Sequence, residues 1–296
     1  MENQNLINAK GFFPKGMTTA HKILMGAVLF FGLLFLYMLV SLLLTNAVKL
    51  PSIPGGLYFK VLFLSTMTLL YFSYMRGWKT GISLLLFLAI YCWAVEDLSI
   101  HTGFPFGHYY YSDMLGFKID VTPGLLGFNY FWMLVIPAYF IANLITDGTP
   151  FSSAKTIKGL LFTAFITAII VAGIDMVVDP LNATRLHEWV WTKNSYTGYY
   201  GIPYVNFLGY IIVMTPAYYI LKMMEKNYDS KPIGPLSKSI VAIPLIIYFV
   251  SFVLYAAPGL AGVFLVGLFT MIFPLILAVN KLLRYSNINT INNSKG

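Results

Sequence analysis

Eight runs of apolar residues, each close to the length that crosses a bilayer, dominate this sequence. They lie at about 22–44, 57–75, 81–100, 124–146, 157–179, 203–224, 237–257 and 259–281. About 20 apolar residues in a helix span the hydrocarbon core of a membrane. Only 10% of the residues are charged, against about a quarter in a soluble domain. We therefore predict an all-α integral membrane protein with about eight transmembrane helices, or seven because the hinge at 257–259 is so short.

The segments outside these runs set the predicted domain limits. Residues 1–21 are polar and are predicted to form a tail, residues 22–284 a single polytopic membrane domain, and residues 285–296, rich in Asn, Ser and Lys, a disordered tail. The first apolar run is too long for a signal-peptide core and lacks a small-x-small cleavage site, so we expect it to remain as a span. The single cysteine, Cys92, excludes an intrachain disulfide.

The positive charges are distributed unevenly over the predicted topology. With eight spans, 14 of the 19 Lys and Arg lie at the two termini or in the connections on the same side of the membrane as the termini. Positive residues are enriched on the cytoplasmic side of membrane proteins, so we predict that both termini are cytoplasmic. The net charge of +8 then indicates orientation and contact with anionic lipid, and no nucleic-acid partner is predicted.

The third to sixth spans contain similar features at nearly constant spacing. Two pairs are separated by 79 positions and one by 77. This spacing predicts an internal direct repeat of spans 3–4 and 5–6, with the two units packed about a pseudo-twofold axis along the membrane normal. The acids of both units would then face one cavity. The pairs are Glu96 with Asp175, Pro137-Ala-Tyr139 with Pro216-Ala-Tyr218, and Asn129 with Asn206.

Four of the eleven acids lie within or at the end of apolar helices: Glu96, Asp97, Asp175 and Asp179. A charge at membrane depth costs about 2.5–3.5 kcal/mol on insertion scales, so such acids normally face a cavity and have a function. The spacing of Asp175 and Asp179 places both on one helical face, and Pro180 is predicted to end that helix. The partial negative charge of a helix C-terminus favours a protonated acid. Alternatively, Asp97 and Asp179 are ordinary polar residues at helix ends.

Two long connections, at about 101–123 and 180–202, are rich in Gly, Pro, Tyr, Trp and His. Aromatic faces stabilise cations, so a protonated acid beside these rings suits a reaction that protonates carbon and holds the resulting cation. Alternatively, the rings form the aromatic belt at the membrane interface. Asn129 and Asn206 either cap their helices or orient an acid or a water. Four histidines are too few for a membrane di-iron site, and no metal or cofactor is predicted.

The segment Asp175-Met-Val-Val-Asp179 has the D-x-x-x-D form with which intramembrane prenyltransferases hold Mg²⁺ and diphosphate. Those enzymes use a second Asp-rich segment. The corresponding segment here, Glu96–Ile100, lacks the second acid of that pattern, and Lys and Arg do not gather nearby. A Mg²⁺-dependent prenyltransferase is therefore an alternative, as is a proton-coupled transporter or flippase for a lipid or isoprenoid that uses the same acids as a relay.

Between about residues 80 and 225 the sequence contains an ordered set of motifs: Glu96, Gly103–Tyr111, Asp175–Pro180, Trp189–Trp191, Gly198–Pro203 and Asn206–Gly209. This set resembles the membrane carotenoid-biosynthesis family, which includes carotenoid hydratases such as bisanhydrobacterioruberin hydratase and the γ-carotene hydratases. The resemblance implies cofactor-free addition of water to the terminal isoprenoid double bond of an acyclic carotenoid of the lycopene or bisanhydrobacterioruberin type, which gives a tertiary alcohol.

The motifs and the resemblance together predict a site on the non-cytoplasmic side of the membrane. Glu96 or Asp175 would donate the proton, with Asp97 and Asp179 as supporting acids. The predicted partners are a long acyclic carotenoid, water, membrane lipid and other enzymes of the carotenoid pathway. The predicted substrate-binding residues are Phe104, Phe106, His108, Tyr109, Tyr110, Asn129, Trp132, Trp189, Trp191, Tyr200 and Asn206.

Overall fold

A computed structural model describes residues 13, 14, 16–44, 56–151, 156–192, 198–228, 230–256 and 262–293. Helices make up most of this part of the chain. They are α1 (Thr19–Leu44), α2 (Gly56–Arg76), α3 (Trp78–Thr102), α4 (Gly124–Asp147), α5 (Ile157–Leu181), α6 (Tyr204–Asn227), the short α7 (Lys238–Val241), α8 (Ile243–Ala256), the short α9 (Val263–Gly267) and α10 (Phe273–Asn293).

Within the described residues, five helical stretches are long and apolar enough to cross a membrane: Thr19–Met38, Trp78–Thr102, Ile157–Leu186, Tyr204–Asn227 and Val263–Arg284. Large apolar side chains such as Leu86, Ile90 and Phe269 are exposed on their outer faces, as expected where a helix contacts lipid. The prediction of an α-helical, multi-pass membrane protein is confirmed. The number of eight spans, the internal repeat and the limits of the tails stay predictions, and α10 continues to Asn293 within the predicted C-terminal tail.

The prediction that Pro180 ends its helix is wrong. Helix α5 continues through Pro180 to Leu181, and a π-helical turn, Asn182–Leu186, follows it. A proline near the end of a helix removes only one backbone donor, and π turns and Ser or Thr side chains can satisfy the carbonyls that are released in membrane helices. The carbonyl that Pro180 releases is that of Met176, four residues earlier. The hydroxyl of Thr184 donates to a different carbonyl, that of Pro180, in the π turn.

Short strands connect the two long loops that follow α3 and α5. Strand β1 (Tyr109–Tyr111) pairs with β4 (Trp189–Trp191) in antiparallel orientation, and β2 (Lys118–Ile119) pairs with β3 (Thr122–Pro123) within the first loop. The sequence did not predict strands in this all-α protein. The β1–β4 ribbon joins the loop beyond Glu96 to the loop beyond Asp179, so it fixes the ends of the two acid-bearing helices relative to each other.

A buried ion pair lies where the end of α2 meets the end of α6. Arg76 Nε lies 2.6 Å from Glu225 Oε1, and both side chains are almost completely buried. Tyr139 donates a hydrogen bond to the same carboxylate. The guanidinium also donates to the Pro150 carbonyl at 2.8 Å and lies over the Phe151 ring. These contacts connect α2, α4 and α6 at the end of the bundle opposite the β1–β4 ribbon.

Candidate functional site

The turn after α3 folds back onto the helix that carries Glu96. Gly103 ends α3 in the left-handed region, with φ of 78°, and its N–H donates to the Ser99 carbonyl at 2.7 Å, a common way for a helix to end at glycine. The Ser99 hydroxyl accepts from the Phe106 N–H at 3.1 Å. A Cβ at Gly209 of α6 would lie 2.6 Å from the Pro105 carbonyl oxygen. Glycine there lets the turn approach α6 closely and bury Phe106.

Strand β1 brings two tyrosine hydroxyls to Glu96. Side chains alternate along a strand, so Tyr109 and Tyr111 point inward, whereas Tyr110 is 53% exposed. Both inward hydroxyls donate to Glu96 Oε2, that of Tyr111 at 2.9 Å. Glu96 itself is buried. Its carboxylate therefore has two donors from the loop that begins a few residues after it.

Asn206 joins the two aspartates of α5. Its side-chain Nδ2 donates to Asp175 Oδ2 at 2.6 Å and to Asp179 Oδ2 at 3.1 Å. All three side chains are buried. The N-cap of α6 is Pro203, so Asn206 lies in the first turn and orients acids, which was one of the two roles predicted for it. The indole N–H of Trp189 donates to the other oxygen of Asp179, Oδ1.

These groups surround a small cavity. About 20 Å³ of it is open to the centre of a water molecule, and about 10–15 Å³ is enough to hold one water. The indole N–H of Trp191 is buried and has no hydrogen-bond acceptor among the described residues, so a water beside it would satisfy that donor. The lining residues are Glu96, Phe106, Tyr109, Tyr111, Asp179, Trp189, Trp191, Asn206 and Tyr210.

Comparison with known proteins identifies the family of this chain. The sequence profile of the family described as carotenoid biosynthesis protein matches residues 55–277, which is most of the chain and includes every residue that lines the cavity. This chain belongs to the carotenoid biosynthesis protein family. A role in carotenoid biosynthesis follows from membership of that family.

One curated relative is bisanhydrobacterioruberin hydratase from Haloarcula japonica. It is 27% identical over 136 residues, which cover 45% of this chain and 42% of the relative. The match therefore spans less than half the length of this relative. No solved structure matches the chain significantly.

The structure brings together most, but not all, of the residues that the sequence singled out in this carotenoid biosynthesis protein. Glu96, Asp175 and Asp179 meet at or beside the cavity, together with Phe106, Tyr109, Trp189, Trp191 and Asn206. Several predicted residues lie elsewhere. Phe104, His108 and Tyr110 are exposed, and Tyr200 contacts Tyr199 instead of the cavity. The side chains of Asn129 and Trp132 lie outside the described residues.

Asp97 was predicted to support catalysis, but it does not line the cavity. Successive residues in a helix point about 100° apart, so Asp97 faces another side of α3 than Glu96. It accepts a hydrogen bond from the Thr122 hydroxyl at 3.0 Å. Possible metal-binding atoms of Asp97, His101 and Asp120 lie within 4.8 Å of one another. The 2.7 Å ion pair of His101 with Asp120 at the exposed surface accounts for this grouping without a metal.

Two residues that line the cavity, Tyr111 and Tyr210, were not among the predicted site residues. Tyr111 could have been found from the alternation of a strand, which places it on the same face as Tyr109. Tyr210 is four residues after Asn206 and therefore on the same face of α6. Its ring packs against Phe106, with ring centroids 4.7 Å apart. The signal was present in both cases, but it depended on assigning the strand and the start of the helix.

The tyrosines that hold Glu96 give a testable pH dependence. Burial, and then the neighbouring Glu96 carboxylate, raise the pKa of Tyr109 and of Tyr111 well above the usual 10. A folded-state pKa above the unfolded value stabilises the fold fully below the unfolded pKa, and this contribution is lost as the pH rises. We expect stability to fall above about pH 10. Measurement of tyrosinate absorbance against pH should show two fewer late-titrating groups in a Tyr109→Phe, Tyr111→Phe variant. An unchanged titration would contradict this expectation.

Proposed function

We propose that this protein is a carotenoid hydratase, which adds water to the terminal isoprenoid double bond of an acyclic carotenoid to give a tertiary alcohol. The observation that carries the proposal is an aromatic-walled cavity with room for about one water, lined by the buried acids Glu96 and Asp179, with the buried Asp175 joined to Asp179 through Asn206. The family and the named relative support a carotenoid substrate. The arrangement also supplies a proton donor, a proton acceptor and space for the second reactant.

The aspartate pair is suited to donate the proton. Asp175 and Asp179 lie one helical turn apart, are both buried and share the Asn206 amide. Two such carboxyl groups do not readily ionise together, so one proton stays on the pair. Asp179 lines the cavity, and we therefore assign it as the donor. Its proton would pass to the less substituted carbon of the double bond, and the π electrons form the new C–H bond, which leaves a tertiary carbocation.

Glu96 is suited to accept the second proton. Its carboxylate accepts hydrogen bonds from Tyr109 and Tyr111, and hydrogen bonds to the charged form favour that form. Water in the cavity would add its lone pair to the carbocation and lose a proton to Glu96. The net change is the addition of one water to one double bond, without an oxidant or reductant. Transfer of that proton back to the aspartate pair completes the cycle.

The aromatic rings around the cavity would stabilise the cation. The Tyr109 and Trp191 ring centroids lie 4.8 Å apart, and the Tyr111 and Trp189 rings meet edge to face. A cation near an aromatic face gains about 0.5–2 kcal/mol. Acid–base catalysis contributes about 10²–10⁴ in rate, and the fixed dipoles of the site supply further stabilisation of the developing charge.

We also propose eight membrane spans with a repeat of spans 3–4 and 5–6, cytoplasmic termini and a site on the opposite side. Two symmetric contacts support the repeat. In the β1–β4 ribbon, Tyr110 lies opposite Val190, with Tyr–Trp pairs on either side. Tyr139 and Tyr218, from the two Pro-Ala-Tyr segments, stack with their ring planes 16° apart. A pseudo-twofold axis between the two units would produce both contacts.

Production of the protein in cells that make lycopene or bisanhydrobacterioruberin tests the hydratase. We expect a new pigment heavier than the substrate by one water, detected by mass spectrometry, and unchanged yield of this pigment when membranes are assayed with a metal chelator. A well-folded protein that gives no hydrated pigment with either substrate would overturn the proposal. Product that depends on Mg²⁺ would favour a prenyltransferase, and movement of an unmodified isoprenoid between vesicle leaflets would favour a transporter.

A further inference from the structure

A large apolar groove lies between α5, α6 and the π-helical turn Leu268–Ile272 that precedes α10. Its volume is about 620 Å³, within the usual range for ligand pockets. Nearly all of its lining is hydrocarbon, for example Ile169, Ile211 and Phe269. The hydroxyl of Thr270 also lines it, but this group already donates to the Gly173 carbonyl at 3.0 Å. The groove therefore suits a ligand with no polar groups along its length.

The groove and the acid cavity share the same stretch of two helices. On α5, Ala172 and Met176 line the groove, whereas Asp179 lines the cavity. Asp175 shares the Asn206 amide with Asp179. On α6, Phe207 and Ile211 line the groove, whereas Asn206 and Tyr210 line the cavity. Neighbouring residues of a helix point about 100° apart, so the two spaces lie on adjoining faces of the α5–α6 pair. The α5–α6 pair therefore contributes to the walls of both spaces.

A second apolar groove in the described part of the protein lacks this relation. It has a volume of about 420 Å³ and lies between α8 and α10, with Ile246, Phe249 and Lys238 in its lining. None of its residues belongs to α5 or α6. Apolar character alone therefore does not distinguish the first groove, because any lipid-facing surface has it. What distinguishes the first groove is that α5 and α6, the helices that carry Asp179 and Asn206, form part of its lining.

We propose that the groove between α5, α6 and α10 holds the polyene chain of the substrate, whose terminal isoprene unit reaches the acids through the α5–α6 seam beside Met176 and Phe207. This inference rests on the proposed hydratase function and names the part of the protein that selects a long substrate. Methionine side chains are unbranched and adapt readily to an occupant, which suits Met176 to this position. The small acid cavity then needs to hold only the reacting end and one water.

Groove-filling variants test this proposal. Ile169→Trp and Ile211→Trp place a large ring in the groove, and Ile246→Trp is the matched control in the second groove. In purified protein, we expect the two groove variants to raise KM for a long acyclic carotenoid about tenfold or more. A short acyclic isoprenoid with the same end group should be hydrated at nearly the wild-type rate. Wild-type KM for the long substrate in both variants, or equal loss in Ile246→Trp, would overturn the proposal.

A binding measurement separates this proposal from the function it rests on. Each variant is combined with Asp179→Asn and purified from cells that make the carotenoid, and the pigment retained per protein is measured by absorbance. We expect the groove variants to retain about tenfold less pigment than the Ile246→Trp control. Groove-dependent retention, together with no hydrated pigment from the wild-type protein, would overturn the hydratase but not the groove. Equal retention in all variants, or groove-dependent retention of phospholipid alone, would overturn the groove as a carotenoid site.

Discussion

Replacement of Asp179 by asparagine should lower the hydration rate by about 10²–10⁴. Asparagine keeps the size of the side chain, and its single amide oxygen can accept from either Asn206 or Trp189, but it cannot donate a proton to carbon. We expect kcat to fall with little change in KM for the long carotenoid, because the polyene would bind in the apolar groove and not at Asp179. Single-turnover assays with purified protein in lipid measure this. Glu96→Gln should give a loss of similar size because it removes the acceptor of the second proton.

Two further variants serve as controls for this experiment. Asp113→Asn changes an exposed carboxylate that forms a surface ion pair with Lys118, and it should leave kcat unchanged. Asp97→Asn tests whether Asp97, which the sequence placed in a four-acid site, is needed in addition to Glu96, Asp175 and Asp179. We expect most activity to remain. Full activity in Asp179→Asn would exclude this residue as the donor. Loss of activity in Asp97→Asn with normal folding would restore the four-acid site.

Replacement of Arg76 by methionine should destabilise the protein by about 3–5 kcal/mol. The change removes one partner of a buried ion pair and leaves Glu225 buried without its opposite charge, which is the costly way to break such a pair. Thermal unfolding in detergent or lipid measures the loss. The matched control is Lys79→Met, because Lys79 is exposed and lies three residues further along the chain.

A second substitution shows whether loss of the ion pair causes the lower stability of Arg76→Met. Removing both charges of a buried pair is often nearly neutral, so Arg76→Met combined with Glu225→Leu should recover part of the lost stability. If the double variant is no more stable than Arg76→Met alone, the contacts of Arg76 with Pro150 and Phe151, and not its charge, hold the helix ends together. If Arg76→Met is as stable as Lys79→Met, the buried pair contributes nothing measurable.

The sequence predicted the helices well because bilayer thickness sets their length and composition. Runs of about 20 apolar residues such as 157–179 leave little choice of structure. The prediction at Pro180 was wrong because the local preference of the residue before a proline was treated as decisive. In the protein, Pro180 lies near the end of the helix and lacks only its own N–H donor, so α5 extends two residues beyond Asp179 before the π turn begins.

The acids were found from sequence because charge inside an apolar helix is costly, but their partners were found less reliably. Burial separates Glu96 from Asp97, which are adjacent in the chain, and only the rotation of α3 decides which one faces inward. The strand at Tyr109–Tyr111 has just three residues, which are too few for an alternation of buried and exposed side chains to be recognised in the sequence. Its pairing with β4 depends on a partner about 80 residues away, and no local pattern contains that information.

The positions of the donors to Glu96 and Asp179 have a consequence for biosynthesis. Glu96 is bonded by tyrosines 13 and 15 residues later, and Asp179 by a tryptophan 10 residues later. These two acids therefore find hydrogen-bond donors in the loops that emerge from the ribosome directly after them. Asp175 and Arg76 differ, because their partners Asn206 and Glu225 lie on α6. Synthesis of α6 is therefore the step that completes the pairing of the buried polar groups on α2 and α5.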